Sequence, residues 1–282
     1  MKLSPWIPAT AFLLGMLPPV FSQSTPTPLV IWPEDKIPGR TVVQEAVIPG
    51  KEYDIISNPT ITVFSAPPQS KATPAFVICP GGGYGCVCPV HEGYEVAAWL
   101  NTIGITGVVL KYRVPGNRDG ALEDVERAMR TVRSHAKDWN IDPAHVGVMG
   151  FSAGGHLAAR LSTNYQSPSY SAIDAIDTLS CKPDFAVLVY PAFLDVNGAG
   201  LALDPTLPIS SKIPPTLIVH TEDDAGFLTG SKAYHRALDA ANVPNEFLVF
   251  KTGGHGYGAH GKGDVSVWPD RAQAWLKNLG AL

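Results

Sequence analysis

Short apolar runs alternate with helical patterns along the chain from residue 76 onward. Each run is apolar at successive positions, which is typical of strands that are covered by helices on both faces. Strands and helices that alternate in this way indicate an α/β fold with a mainly parallel central sheet and helices on both of its faces. Six such runs predict six central strands, at residues 76–79, 107–110, 146–149, 185–189, 217–219 and 247–250.

The segments around these runs predict further elements. Two β-rich runs, at about 41–48 and 60–64, predict edge strands. Between Ala121 and Trp139 apolar residues recur at intervals of three and four residues. This spacing predicts an amphipathic helix with one apolar face and charged residues on the opposite face. A last helix is expected to begin at Pro269 and to end before Gly280. Residues 192–215 form too short a segment for an extended lid, so a minimal cap is expected.

The length of 282 residues suits one large core and predicts a single catalytic domain over residues 41–282. Residues 23–40 are proline-rich and predict an extended lead-in. Residues 1–22 resemble a signal peptide, because Lys2 precedes a short apolar stretch and Val20 and Ser22 suit cleavage before Gln23. We therefore expect a secreted or periplasmic protein without stable membrane insertion. The alternative is a retained apolar arm that tethers the protein to a membrane.

The charge of the chain bears on its binding partners, and its cysteines bear on disulfide bonds and metal sites. The formal charge is −4 and the cationic residues are scattered, which argues against nucleic acid as a partner. An exported protein could oxidise its four cysteines, and the sequence does not choose among the three complete pairings. Cys86 and Cys88 lack the second ligand pair that a zinc site requires, and Cys79 is expected to be a small buried side chain.

The strongest chemical signal is Gly150-Phe151-Ser152-Ala153-Gly154, which lies between an apolar strand and a helical segment at residues 156–161. A nucleophilic serine at a sharp strand-to-helix turn needs glycines beside it, because a Cβ there would clash. This context predicts that Ser152 is a nucleophile at the start of a helix. The alternative is an ordinary helix N-cap serine.

A glycine-rich loop, Pro80-Gly81-Gly82-Gly83-Tyr84, follows the first central strand. Backbone N–H groups can approach a developing oxyanion closely where side chains are absent. Gly82 and Gly83 are therefore the predicted oxyanion-hole donors, together with Ala153. The loop could instead be merely flexible or hold a phosphate, although no Lys-Ser/Thr pair follows it.

A base and an acid are expected in loops after later strands. His255 lies in a glycine-rich loop after residues 247–250, and Asp223-Asp224 follows residues 217–220. Asp224 is favoured over Asp223 because it lies further out of its strand, and Asp223 would then cap a turn. His260 is the alternative base. His156, on the helix after Ser152, is expected to be structural, and His220, at the end of a strand, is expected to be buried.

These residues resemble the α/β-hydrolase esterases related to acetyl xylan esterases and feruloyl esterases of the BD-FAE type. The resemblance covers most of the chain from residue 76 and implies an α/β-hydrolase fold and hydrolysis of carbohydrate esters through an acyl-enzyme. It also supports Asp224 as the acid. Pro80 stands where the lipase-like branch has histidine, and Cys86-Val87-Cys88 matches no familiar pattern. The resemblance is carried by residues 80–84, 91–93, 110–113, 150–158, 223–224 and 254–258.

The predicted activity is removal of small acyl groups, acetyl foremost, from carbohydrate or related esters by Ser152, His255 and Asp224, with no metal or organic cofactor. Tyr84, Tyr190 and Tyr257 flank the predicted loops and could contact a sugar, or they could be ordinary aromatics at the edge of the core. The alternative functions are a serine peptidase of the same fold and an inactive binding protein on a hydrolase scaffold.

Overall fold

Eight strands form one sheet in the computed structural model, which describes residues 26–33, 35–40, 45–48, 53–200 and 202–282. Along the sheet their order is β1-β4-β6-β5-β7-β8-β9-β10, and β2 pairs with β3 in a separate two-stranded sheet. The strands are β1 (Leu29–Val30), β2 (Ala46–Ile48), β3 (Tyr53–Ile55), β4 (Thr60–Phe64), β5 (Thr73–Cys79), β6 (Thr106–Lys111), β7 (Ile141–Phe151), β8 (Ala186–Val189), β9 (Thr216–Thr221) and β10 (Asn245–Phe250).

The six predicted central strands are confirmed as β5 to β10, and each is parallel to its neighbours within that set. The side chains of β5 show why these runs are apolar at successive positions, because they point alternately to the two faces of the sheet. Ala75 and Val77 belong to one apolar cluster, whereas Phe76 and Ile78 belong to the other, and all four are fully buried. A strand needs apolar residues at every position when helices cover both faces.

Five helices cover the two faces: α1 (Glu95–Thr102), α2 (Arg118–Ser134), α3 (Ala153–Asn164), α4 (Ala225–Ala240) and α5 (Trp268–Asn278). Helices α2, α3 and α4 pack in one apolar cluster with the sheet, and α1 and α5 pack in the other. The last helix begins one residue before the predicted Pro269. Within the described ranges, no helix combines the length and apolarity that crossing a membrane requires.

The prediction of edge strands is wrong for residues 60–64. That run is strand β4, but β1 pairs with it on its outer side. The lead-in holds β1 there because Ile31 and Trp32 are buried and Trp32 Nε1 donates a 2.7 Å hydrogen bond to Asp124 Oδ1. Of the run at 41–48, residues 46–48 form β2, outside the main sheet. Residues 41–44 and the predicted signal peptide at 1–22 lie outside the described residues.

Helix α2 differs from its prediction in length and surroundings. It ends at Ser134 and not near residue 139. The charged residues opposite its apolar face are also buried: Asp124 and Glu126 are fully buried, and Arg127 is 1% exposed. Arg127 pairs with Asp174 and Asp177, its nitrogens lying 2.6 and 2.9 Å from the carboxylate oxygens. The lead-in and the segment around residue 175 therefore cover the charged face of this helix.

Candidate active site

The predicted functional residues follow four different strands and meet at one edge of the sheet. Residues 81–83 follow β5, Ser152 follows β7, Asp224 lies beyond β9, and His255 lies beyond β10. These strands are parallel, so their carboxyl ends point to the same edge, where open α/β sheets place ligands.

Ser152 is held in a strained turn between β7 and α3. Its φ of +52° is unusual for a residue with a side chain, and strain of this kind clusters at functional sites. The turn is so tight that a Cβ at Gly154 would lie 1.9 Å from the Cys79 carbonyl oxygen. The Ser152 side chain occupies the N-cap position of α3 without capping it. The geometry therefore disfavours the interpretation of Ser152 as an ordinary N-cap.

A chain of hydrogen bonds joins Ser152, His255 and Asp224. Ser152 Oγ lies 2.8 Å from His255 Nε2, and His255 Nδ1 lies 2.7 Å from Asp224 Oδ2. Because a carboxylate only accepts hydrogen bonds, Nδ1 of the imidazole carries the proton and Nε2 is free to accept the serine proton. The His255 side chain is 32% exposed and that of Asp224 is 9% exposed, so the chain runs from a buried acid to an accessible hydroxyl.

Asp223 holds the loop that carries His255. Its two carboxylate oxygens accept hydrogen bonds from Gly253 N at 3.1 Å and from Gly254 N at 2.9 Å. These amide donors lower the pKa of Asp223. The structure thus brings Asp224, and not Asp223, to His255. The side chain of the alternative base, His260, is 70% exposed, and its Nε2 lies 3.7 Å from Glu95 Oε2.

His220 is a second histidine on Asp224. Its burial was predicted and is confirmed, but its partner was not foreseen. His220 Nε2 lies 3.0 Å from Asp224 Oδ2, and His220 Nδ1 lies 2.9 Å from Ser231 Oγ. Asp224 Oδ2 therefore accepts from two imidazoles. A histidine at the end of a buried strand, four residues before the acid, was the available sequence signal.

The two imidazoles set the charge of Asp224. Burial of this carboxyl raises its pKa, but the hydrogen bonds from His220 and His255 outweigh burial, so its pKa is below the usual value. Asp224 therefore stays ionised in moderately acidic solution and can hold the His255 ring in one tautomer.

The loop after β5 lies beside Ser152, since a Cβ at Gly81 would be 2.9 Å from the Ser152 Cβ. Gly82 has a φ of +129°, and a Cβ there would lie 2.2 Å from the Cys86 carbonyl oxygen. In this part of the described chain the amides of Gly81, Gly85 and Cys86 donate hydrogen bonds, while those of Gly82 and Gly83 have no protein acceptor. Ala153 is the first residue of α3, so its amide has no intrahelical acceptor. None of the three predicted donor amides therefore has a protein acceptor among the described residues.

Glu92 connects this loop to the loop of His255, and no role for its side chain was predicted from the sequence. It is 3% exposed and lies in a single π-helical turn, Val90–Tyr94. Glu92 Oε2 accepts from Gly81 N at 2.7 Å, and Glu92 Oε1 accepts from the Tyr190 hydroxyl at 2.8 Å. The same hydroxyl accepts from Gly258 N at 2.9 Å. One buried carboxylate thus connects the two loops.

The three tyrosines that could have contacted a sugar are largely enclosed. Tyr84 is 3% exposed and its hydroxyl lies 2.8 Å from His156 Nδ1, while Tyr190 is fully buried. Tyr257 packs edge-on against Tyr190 at 4.3 Å, and its buried hydroxyl has no partner among the described residues. These positions favour the alternative that the tyrosines belong to the core edge. Burial lowers the pKa of His156 to about 3, so this ring is neutral.

The cysteines form no disulfide in the structure. All four are free thiols, and Cys79 is fully buried as predicted. Burial raises the pKa of Cys79 above its usual range. Among the residues that the structure describes, no group of three or more His, Cys, Asp or Glu side chains could hold a metal ion.

Comparisons with known proteins agree with this architecture. The BD-FAE family model matches residues 62–199. The crystal structure of an acetyl ester-xyloside bifunctional hydrolase from Caldicellulosiruptor lactoaceticus is 33% identical, with a TM-score of 0.77 over 92% of this chain and 98% of that one. An acetylxylan esterase of Xylanibacter ruminicola is 34% identical over 76% of this chain, and endo-1,4-beta-xylanase B of Butyrivibrio fibrisolvens is 30% identical over 64%. The chain spans 46% and 32% of the lengths of these last two relatives.

Proposed function

The chain belongs to the α/β-hydrolase esterases of the BD-FAE type, and from this membership we propose that it hydrolyses carboxylic esters, removing small acyl groups, acetyl foremost, from carbohydrates. The observation that carries the proposal is the hydrogen-bonded chain from Ser152 Oγ through His255 to Asp224, with distances of 2.8 and 2.7 Å. A hydroxyl, an imidazole and a carboxylate in this order constitute the machinery of acyl transfer.

In the proposed reaction, Ser152 Oγ attacks the ester carbonyl carbon while its proton passes to His255 Nε2. The tetrahedral intermediate collapses, the C–O bond to the alcohol breaks, and His255 returns the proton to the departing alcohol oxygen. Water then attacks the acyl-enzyme by the same route, with His255 as base, and releases the acid and Ser152. No step needs an electron carrier.

The negative charge that develops on the carbonyl oxygen would be stabilised by the amides of Gly82, Gly83 and Ala153. Fixed backbone donors of this kind are typically worth a factor of about 10²–10³ each in turnover. The Gly82 and Gly83 amides have no protein acceptor in the described chain, which supports this role.

Asp224 and His220 would act through His255. Asp224 fixes the imidazole tautomer, and we assign His220 as a positioning residue that fixes the orientation of Asp224. The proton on His220 Nε2 points at the carboxylate because Ser231 Oγ, at 2.9 Å, supplies a hydrogen to Nδ1.

A small acyl group and a carbohydrate substrate are supported by two observations. The relatives named above act on xylan or acetyl esters, as their names state. In the described part of residues 192–215, the only helical element is one short 3₁₀ turn, Val196–Gly198, so this stretch forms no extended cap over the site. The signal-peptide pattern of residues 1–22 supports a secreted or periplasmic location.

Turnover of 4-nitrophenyl acetate and release of acetate from acetylated xylan test the proposal. Ser152→Ala and His255→Ala are expected to lose about a thousandfold or more in kcat. His260→Ala is the matched control, because this exposed histidine is not in the hydrogen-bonded chain, and it should retain activity. Hydrolysis by Ser152→Ala at the wild-type rate would refute the mechanism. Cleavage of a 4-nitroanilide peptide without ester turnover would favour the peptidase alternative.

A further inference from the structure

An arginine lies on the aromatic wall beside the candidate active site. Arg118 is the first residue of α2 and is exposed. Its Cζ lies 5.0 Å from the ring centre of Tyr84 and 4.7 Å from that of Phe193. The two rings are themselves 6.2 Å apart. The guanidinium therefore rests on both rings, and such contacts are favourable for a cation.

The aromatic wall continues to the proposed base. Phe193 contacts Phe227 at 5.8 Å between ring centres, and Phe227 contacts the His255 ring at 5.1 Å. Both phenylalanines are half-buried. Phe193 has a φ of +56°, a conformation that is costly for an aromatic residue and that persists only where the surrounding contacts hold the residue in place. The wall thus leads from the reacting imidazole to the Arg118 guanidinium.

The guanidinium of Arg118 has no carboxylate partner within the described part of the chain. Its sequence neighbour Asp119 pairs with Arg160 at 2.8 Å. One oxygen of nearby Asp204 accepts from Thr206, and the other lies 4.0 Å from His156. Most other arginines are paired with acids: Arg40, Arg113, Arg127, Arg130, Arg133 and Arg160. Arg118 therefore forms no ion pair among the described residues, and only the more distant charge of Asp204 acts on it.

We propose that Arg118 binds a carboxylate carried by the ester substrate. The planar guanidinium presents a fork of donors that matches a carboxylate, and the two rings beneath it restrict its motion before binding. The carboxylate would belong either to the alcohol part, as in a uronic acid on an acetylated oligosaccharide, or to the acyl part, as in a half-ester of a dicarboxylic acid. This inference rests on the proposed esterase function.

The kinetic test compares two pairs of esters. One pair is an acetylated xylo-oligosaccharide with and without a glucuronic acid side group, and the other is 4-nitrophenyl succinate with 4-nitrophenyl butyrate. For Arg118→Gln we expect the charged-to-neutral ratio of kcat/KM to fall about tenfold in one pair, mainly through KM, and the responding pair identifies the source of the carboxylate. Arg271→Gln is the matched control, since Arg271 is an exposed arginine of α5 that forms no ion pair with any described residue.

A binding measurement separates this inference from the esterase proposal. Titration calorimetry of Ser152→Ala with a glucuronic-acid-substituted xylo-oligosaccharide and with 4-nitrophenyl succinate requires no turnover. Adding Arg118→Gln should weaken binding of one of these probes about tenfold and should leave neutral xylotetraose unaffected. Equal kinetic ratios in both pairs, together with unchanged binding, would overturn the carboxylate site. A wild-type enzyme that hydrolyses none of the four esters would refute the esterase function, and the calorimetry would still decide the role of Arg118.

Discussion

Replacement of Glu92 is the perturbation whose effect can be worked out most fully. The carboxylate accepts one hydrogen bond from Gly81 N at 2.7 Å and one from the Tyr190 hydroxyl at 2.8 Å. Its side chain is 4% exposed, so water does not readily replace it. Glu92→Ala leaves both donors without an acceptor inside the protein, whereas Glu92→Gln can accept only one of the two.

The magnitude follows from these two donors. Each buried polar group without a partner costs about 1–3 kcal/mol, so Glu92→Ala should lose about 2–6 kcal/mol of unfolding free energy and Glu92→Gln about half of that. Freeing Gly81 also loosens the loop of Gly82 and Gly83, so kcat should fall about tenfold or more in Glu92→Ala. The expected KM change is small, because the amides act on the transition state.

Urea unfolding followed by circular dichroism measures the stability, and 4-nitrophenyl acetate turnover measures the activity. Tyr190→Phe is the matched control: it removes one hydroxyl from the same network but leaves the Gly81–Glu92 bond intact. It should lose stability but less activity than Glu92→Ala. If Glu92→Ala unfolds at the wild-type urea concentration and keeps its turnover, the carboxylate does not hold the loop.

Three further results are expected. Because the pKa of His156 falls from 6.5 to about 3 in the folded chain, the unfolded state binds more protons between these pH values. Stability should therefore fall by up to about 1.4 kcal/mol per pH unit on acidification, and a His156→Gln chain should lose this slope in urea titrations. His220 donates one of the two hydrogen bonds that orient Asp224, so kcat/KM of His220→Ala should fall about tenfold, and His220→Gln, which can still donate to the carboxylate, should restore part of it; an unchanged kcat/KM would argue against a positioning role. Gly154→Ala places a Cβ 1.9 Å from the Cys79 oxygen and should prevent accumulation of folded protein, in contrast to Gly226→Ala, where no atom lies within 4 Å.

The central strands were predictable because they are buried on both faces and so are apolar at every position. The positions of the predicted loops followed from topology, since parallel strands bring their carboxyl ends to one edge. Ser152, Asp224 and His255 lie far apart in the chain, but each follows such a strand. Their proximity could therefore be predicted from the positions of the strands.

Other features depend on tertiary contacts that leave no periodic signal. Strand β1 has two residues, and its position depends on Trp32 docking against Asp124. Glu92 is typical of a surface turn in sequence, and only the folded loop reveals its two buried donors. Phe193 and Arg118 come from separate segments, and neither lies in a recognisable motif. Contacts between irregular segments, in contrast to the positions of the central strands, were therefore inaccessible to sequence reasoning.

The central claim is that Ser152 forms the covalent acyl intermediate. Mass spectrometry of the intact protein after reaction with a 4-nitrophenyl phosphonate ester, followed by peptide mapping, tests this claim most directly. We predict one phosphonyl group per chain, located on Ser152, with slow labelling in His255→Ala and none in Ser152→Ala. A label on another residue, or labelling of Ser152→Ala at the wild-type rate, would contradict the account.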